Sequence, residues 1–443
     1  MRIKLSDHFT YKKILRFTLP SIIMMIFTSV YGVVDGYYVS NYVGKTAFAA
    51  LNFIMPFIMI LGSFGFMFGA GGSALVAKTF GEGKKEKANR LFSAIVYFAL
   101  ISGTVISILG IIFTRPVAIA LGAEGELLEY AVIYAYILLA SNPLFILQMA
   151  FQTFFVGAEK PKLGLWMTVM AGVINMVLDW LFIAVFKWGL TGAALATTIG
   201  QAAGGIAPII YFARPNNSIL RLTKPEIDFK AILKVCTNGS SELMNCMASS
   251  LVGVLYNLKL MQYAGENGLA AYGVIMYVNF IFVGVFLGYA AGIAPVQSYH
   301  FGAQNTEELK NLLKKSLKII GVLSISMVVM ATLLSKTLAT IFVSYDKELF
   351  DMTVRGFVIF SLSFLFSGFG IYCSAFFTSL NNGGVSAAIA VLRTLVFQVL
   401  TILLLPLLFE LDGVWLSVAT SELLAAMVSS GFLIKLNKNY KYF

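Results

Sequence analysis

Charge is what this chain has least of. Only 12% of its 443 residues are Asp, Glu, Lys or Arg, where a soluble protein carries about 25%. With 59% hydrophobic residues and a mean hydropathy of +0.85, the composition excludes a soluble globular protein and leaves a polytopic membrane protein. Histidine is nearly absent, at His8 and His300 only, so no metal-ligand spacing exists. The three cysteines, Cys236, Cys246 and Cys373, form no CxxC and fall in or beside apolar runs, which reads as free thiols. There is no GxxxxGK[ST] phosphate loop, no GxGD and no His-rich or serine–base set, so the residues point away from an enzyme and from an organic cofactor. The polar, basic stretch 1–16 lacks the short apolar core of a cleaved signal. The first span is therefore expected to be retained as its own targeting signal. The net charge of +11 comes from Lys and Arg in loops, where membrane topology places them, and not from a nucleic-acid surface.

What is present in abundance is apolar length. Runs separated by polar or Gly/Pro breaks predict twelve helices, near 15–41, 47–76, 91–113, 127–156, 163–186, 190–212, 232–262, 268–299, 316–342, 352–379, 385–408 and 412–434. Alternate loops hold 24 basic residues, among them Arg2, Lys84, Lys85, Lys160, Arg214 and Lys314. The opposite loops hold 6, such as Lys45, Arg115 and Lys187. The positive-inside rule then puts both termini in the cytoplasm, as an even span count requires.

The chain also repeats. Phe80-Gly81 matches Phe301-Gly302, Gly192 matches Gly413, and Ala49-Ala50 matches Ala270-Ala271, all 221 residues apart. Such an offset argues for duplication of a six-helix unit. An even number of spans gives both copies one orientation, with a pseudo-two-fold along the membrane normal. The expected organisation is a lobe at 1–213, a Pro- and Asn-containing linker at 214–228 and a second lobe at 229–443. The fold class is all-α: twelve transmembrane helices in two six-helix bundles.

The halves differ in polar equipment. The run Thr18–Val39 is long enough to span a bilayer, yet it carries Asp35 well inside and Pro20 near its start. A charge at mid-membrane costs about 2.5–3.5 kcal/mol on insertion scales, so it faces a cavity or a partner. Asp35 reads as an ion-coupling centre, or else as an acid pinning a helix near the interface. Asn175 and Asp179, four apart in helix five, share a face. Two carboxylates buried near one another cannot both stay charged cheaply: one holds a proton, or a cation sits between them. Thr197 and Gln201 add neutral oxygens from helix six, so H⁺ or Na⁺ at Asp35, Asn175, Asp179 and Thr197 is the candidate ion site. At the 221 offset, Asp35 faces Tyr256, Asn175 faces Val396 and Asp179 faces Leu400. Glu242 in helix seven is either a functional acid or a first-turn partner of the helix dipole, and Glu422 is a weaker case of the same kind. Lys259 and Arg393 sit near the ends of their predicted helices, where they are expected to snorkel. Pro20 permits a kink, fixed or hinging. Met24, Phe27, Tyr31, Met55 and Tyr256, with Gln201, are candidates for an adaptable cavity wall.

At this point the chain resembles the MATE (multidrug and toxic compound extrusion) family, most like its bacterial MepA/DinF-type branch. Twelve spans in two sextets, P-x14-D in helix one (Pro20, Asp35), N-x3-D in helix five (Asn175, Asp179) and Glu242 carry the resemblance over nearly the whole length. It implies that Asp35 binds H⁺ or Na⁺, that Asn175, Asp179 and Thr197 contact the cation, that helix one bends at Pro20, and that Glu242 is a further functional acid. Another branch places an acid in helix ten, and residues 352–377 have none, which favours the N-terminal site. The expected function is secondary-active multidrug antiport, exporting cationic or amphipathic small molecules against H⁺ or Na⁺ from a bacterial plasma membrane, as a monomer. The alternative is a flippase for lipid-linked oligosaccharides, which would need a large cationic cavity. The few intramembrane basic residues argue against it.

Overall fold

The computed structural model describes residues 3–226, 228–344 and 346–442. Arg2, one of the basic residues of the terminal loop, and Ile227, in the expected linker, lie outside them. The apolar runs fold as helices because only a helix satisfies every backbone group within one segment in lipid. They are α1 (Tyr11–Val43), α2 (Lys45–Gly81), α3 (Lys85–Ala120), α4 (Gly125–Gly157), α5 (Pro161–Val185) and α6 (Gly189–Ala213). A single 74-residue helical stretch, Phe229–Gly302, follows. At 1.5 Å per residue it would be about 110 Å long, more than three bilayer cores. It breaks at Gly265, whose φ of 57° and ψ of −146° suit glycine, and the two arms are α7 and α8. The chain ends with α9 (Thr306–Val343), α10 (Lys347–Ser361 and Phe364–Ser379, bent by 45°), α11 (Gly383–Leu404) and α12 (Pro406–Tyr440). Twelve spans result among the described residues, in two six-helix bundles.

The helices outrun their apolar cores. Helix three, expected over 91–113, runs from Lys85 to Ala120. Helix ten begins at Lys347, so Glu348 and Asp351 lie in its first turns, both exposed at the helix end and far from mid-span. Charge ends the hydrophobic core, not the hydrogen-bond ladder. Polar caps then set the starts: Thr10 accepts from the Lys13 N–H, Asp228 from Lys230 and Ala231, Asn305 from Glu308, and Asp346 from Leu349.

The duplication reappears in the backbone. Left-handed residues fall at Gly44, Gly83 and Gly189 in the first half and at Gly265, Gln304 and Glu410 in the second, each pair 221 apart. The packing repeats as well: α1 against α5 and α2 against α4 in one half, α7 against α11 and α8 against α10 in the other.

Contacts between the halves gather at the end bearing the basic loops. A Cβ at Gly81 would strike the Tyr299 carbonyl, one at Gly302 the Lys78 carbonyl, and one at Gly71 the Val235 carbonyl, so small residues let α2 meet α7 and α8 at backbone distance. Higher up, Gly288 and Gly292 of α8 lie against Ile22 and Thr18 of α1. Residues 3–10 form a strap over this end. Its Leu5 N–H donates to Glu159 Oε1 at 2.9 Å, and its Phe9 N–H donates to Glu308 Oε1 at 2.9 Å. His8 Nδ1 lies 2.6 Å from Glu308 Oε2.

Candidate functional site

Asp35 and Asp179 are brought together by the packing of α1 on α5. Phe27 and Tyr31 of α1 fill the notch at Gly172 of α5, where a Cβ would sit 3.0 Å from the end of the Phe27 ring. One helical turn beyond, Asp35 comes within electrostatic reach of Asp179. Asp35 is 6% exposed and Asp179 fully buried. Neither makes an ion pair among the described residues. Asp35 Oδ1 and both Asp179 oxygens also lack a hydrogen-bond donor among them.

Neutral oxygens surround the pair. Asn175 is buried one turn before Asp179, and its Nδ2 donates to Thr197 Oγ1 of α6 at 3.3 Å, leaving its own Oδ1 unpartnered. Gly200 makes room for this seam: a Cβ there would lie 3.0 Å from Asn175 Cβ. The fully buried Tyr134 of α4 leaves its hydroxyl without a hydrogen-bond partner among the described residues and within electrostatic reach of both carboxylates. Tyr134 was not singled out by sequence: it is one of 20 tyrosines, and nothing in its local pattern marks it.

Other expected residues are placed differently. Gln201 accepts a hydrogen bond from Ser141 Oγ at 2.9 Å and so serves the α4–α6 seam. Met24 is buried at 2% exposure, and Met55 is half-buried. Tyr256, 2% exposed, stacks on Tyr272 at 5.7 Å inside the second half and lies near Glu422, away from any open wall. Pro20 is buried within α1, which stays helical across it.

The second half holds a different charge set. The expectation that Arg393 snorkels from a helix end is overturned. It lies in the middle of α11, 8% exposed, with Nη1 3.4 Å from Glu422 Oε1. Glu242 is close enough for the same guanidinium to act on it. Neither reading of Glu242, as a functional acid or as a dipole partner, included this arginine. Lys259 does stand near a helix end, with its Nζ 3.4 Å from Gln262 Oε1, close to the break at Gly265.

Three of the intramembrane charges share a local backbone feature that Glu242 and Glu422 lack. Asp35 lies one turn before the π-helical segment Val39–Val43, Asp179 immediately before Trp180–Val185, and Arg393 within Leu392–Val396. A π turn widens the ladder and re-aims the flanking side chains, and such bulges are frequent at functional sites.

The profile of the family described as MatE matches residues 20–181 and again 243–404, one copy in each half. The multidrug export protein MepA of Staphylococcus haemolyticus (strain JCSC1435) is 25% identical over 421 residues, covering 95% of this chain and 92% of that protein. MepA of Staphylococcus aureus (strain MRSA252) is 23% identical over the same shares. Among solved structures, an outward-facing multidrug resistance MATE family transporter of the MOP superfamily superposes with a TM-score of 0.92 at 23% identity, covering 98% of each chain. A MOP superfamily transporter from Pyrococcus furiosus Vc1 (DSM3638) superposes at 0.90 with 23% identity, covering 97% of each.

Proposed function

The chain belongs to the MatE family, and from that premise we propose that it is a secondary-active multidrug efflux antiporter, exporting cationic or amphipathic small molecules in exchange for H⁺ or Na⁺. The observation that carries this reading is the buried pair Asp35 and Asp179, without a cation among the described residues. Two such carboxylates in a low-dielectric site demand a positive charge. Either a proton goes to one of them, or Na⁺ is held by their oxygens with those of Asn175 and Thr197. No organic cofactor and no enzymatic step enters the scheme.

The packing supports a route from ion to movement. α1 lies on α5 within its own half and on α8 of the other half. Neutralising Asp35 and Asp179 removes a repulsion across the α1–α5 contact, and any shift of α1 alters its contact with α8. Ion and drug then favour different states and exclude one another by linkage. Glu242 is a secondary acid in this scheme, and Pro20 marks where α1 can bend. The rocking bodies are taken as residues 1–213 and 229–443, joined by 214–228 on the cytoplasmic side. Both termini lie in the cytoplasm of a bacterial cell, and the unit is a monomer. A flippase for a lipid-linked diphosphate would need unpaired cations along its cavity, and Arg393 is already held by Glu422.

The test is drug uptake into proteoliposomes with independently imposed pH and sodium gradients. The expected result is drive by one gradient and its loss in Asp35→Asn. Wild-type rates in Asp35→Asn would overturn the mechanism.

A further inference from the structure

A cavity of about 950 Å³ opens at the basic-loop end, between the starts of α1 and α5 and the end of α6. Its rim, at the basic-loop end, holds Arg16, Lys160, Lys162 and Arg214, against one acid, Glu159, which already accepts the Leu5 N–H. Arg16, Lys162 and Arg214 make no ion pair among the described residues. Below the rim the lining turns apolar and aromatic, with Phe17, Leu163 and Met167. Trp166 and Ile210 are 69% and 46% exposed on the lipid-facing surface. Trp166 lies five residues into α5, roughly 7 Å below the rim by helix rise, at the depth where amphipathic rings mark the membrane interface.

We propose that this groove is a binding site for one anionic phospholipid, its phosphate on the Arg16–Lys162–Arg214 rim and an acyl chain along Trp166 and Ile210. The polarity gradient, cationic at the rim and apolar below, is that of a lipid, and basic pockets between spans at a membrane surface suit anionic head groups. A soluble anion would gain nothing from the lower wall. The site is separate from the Asp35–Asp179 centre and does not depend on which ion drives transport.

Trp166 supplies the probe. The full chain is placed in nanodiscs with increasing brominated phosphatidylglycerol or brominated phosphatidylcholine. The Trp166 signal is the fluorescence difference between wild type and Trp166→Phe. Half-quenching is expected at a mole fraction at least tenfold lower for the anionic lipid. Arg16→Gln/Lys162→Gln/Arg214→Gln should abolish that preference, at about fivefold per charge removed. Arg16→Lys/Arg214→Lys, which keeps the charge and does not depend on the triple variant folding, should retain it. Neutralising the exposed loop by Lys84→Gln/Lys85→Gln/Lys87→Gln should leave the preference within twofold. Equal quenching by the two lipids in wild type overturns the proposal. So does an equal loss in the loop variant, which would indicate general surface potential. Erasure of the preference by millimolar inorganic phosphate overturns it in favour of a free-anion site.

Discussion

The two halves share a scaffold and differ in how they treat buried charge. In the first, Asp35 and Asp179 are buried within electrostatic reach of each other, and neither pairs with a cation among the described residues. In the second, the residues 221 further on are Tyr256 and Leu400, and the charge sits elsewhere: Glu422 and Arg393 occupy the places of Gln201 and Gly172. On the proposed function, one half takes its cation from outside. The other carries a resident one, since the Arg393 guanidinium pairs with Glu422 and acts on Glu242. Duplication copied the frame, and the two copies differ at a few inward positions, which leaves one with unpaired buried acids and the other with an arginine beside its acids. The lesson is that an intramembrane acid is read by its partners more than by its presence.

The contrast can be broken or sharpened by charge removal. The largest effect is expected from Asp179→Asn, which should lower gradient-driven drug uptake in proteoliposomes about a hundredfold, the scale of a 2.5–3.5 kcal/mol membrane charge. Next, Arg393→Met leaves Glu422 buried without its cation and should destabilise the fold by about 3–5 kcal/mol, read as a thermal shift in detergent. Arg393→Met/Glu422→Gln should recover most of that loss. A double variant as unstable as the single one would show that packing against Gly370, not charge, holds Arg393. Asp35→Asn is the counterpart: it removes an unpartnered charge, so its stability should change by less than about 1 kcal/mol or rise. A large destabilisation would mean that Asp35 has a structural partner. The smallest effects belong to the neutral shell. Thr197→Val and Tyr134→Phe each remove one hydroxyl, worth about 1 kcal/mol. Each should weaken half-saturation by the driving ion about fivefold with the maximal rate preserved.

Much of this was legible in the order of residues. Span number, the 221-residue repeat and the polar asymmetry all follow from hydropathy and spacing, because lipid forces helices and helices force face periodicity. The spacing of Asn175 and Asp179 placed both on the buried face of α5. The roles of Tyr134 and Arg393 were not legible. A tyrosine in an apolar run has no signature distinguishing an ion shell from a core. An arginine's reach depends on which helix lies opposite, here α12 with Glu422 and α7 with Glu242. Tyr256 and Gln201 went to the interiors of their own bundles for the same reason.

By itself the sequence determined a membrane protein of twelve helices, built twice from one unit, with acids held inside its first half. Those properties are local: the cost of polar backbone in lipid and the periodicity of a helix act on neighbouring residues. Only the tertiary structure decided which acids stand alone and which have an arginine, because that depends on contacts between spans far apart in the chain, such as Glu242 with Arg393, set by the close fit of glycine-lined helices.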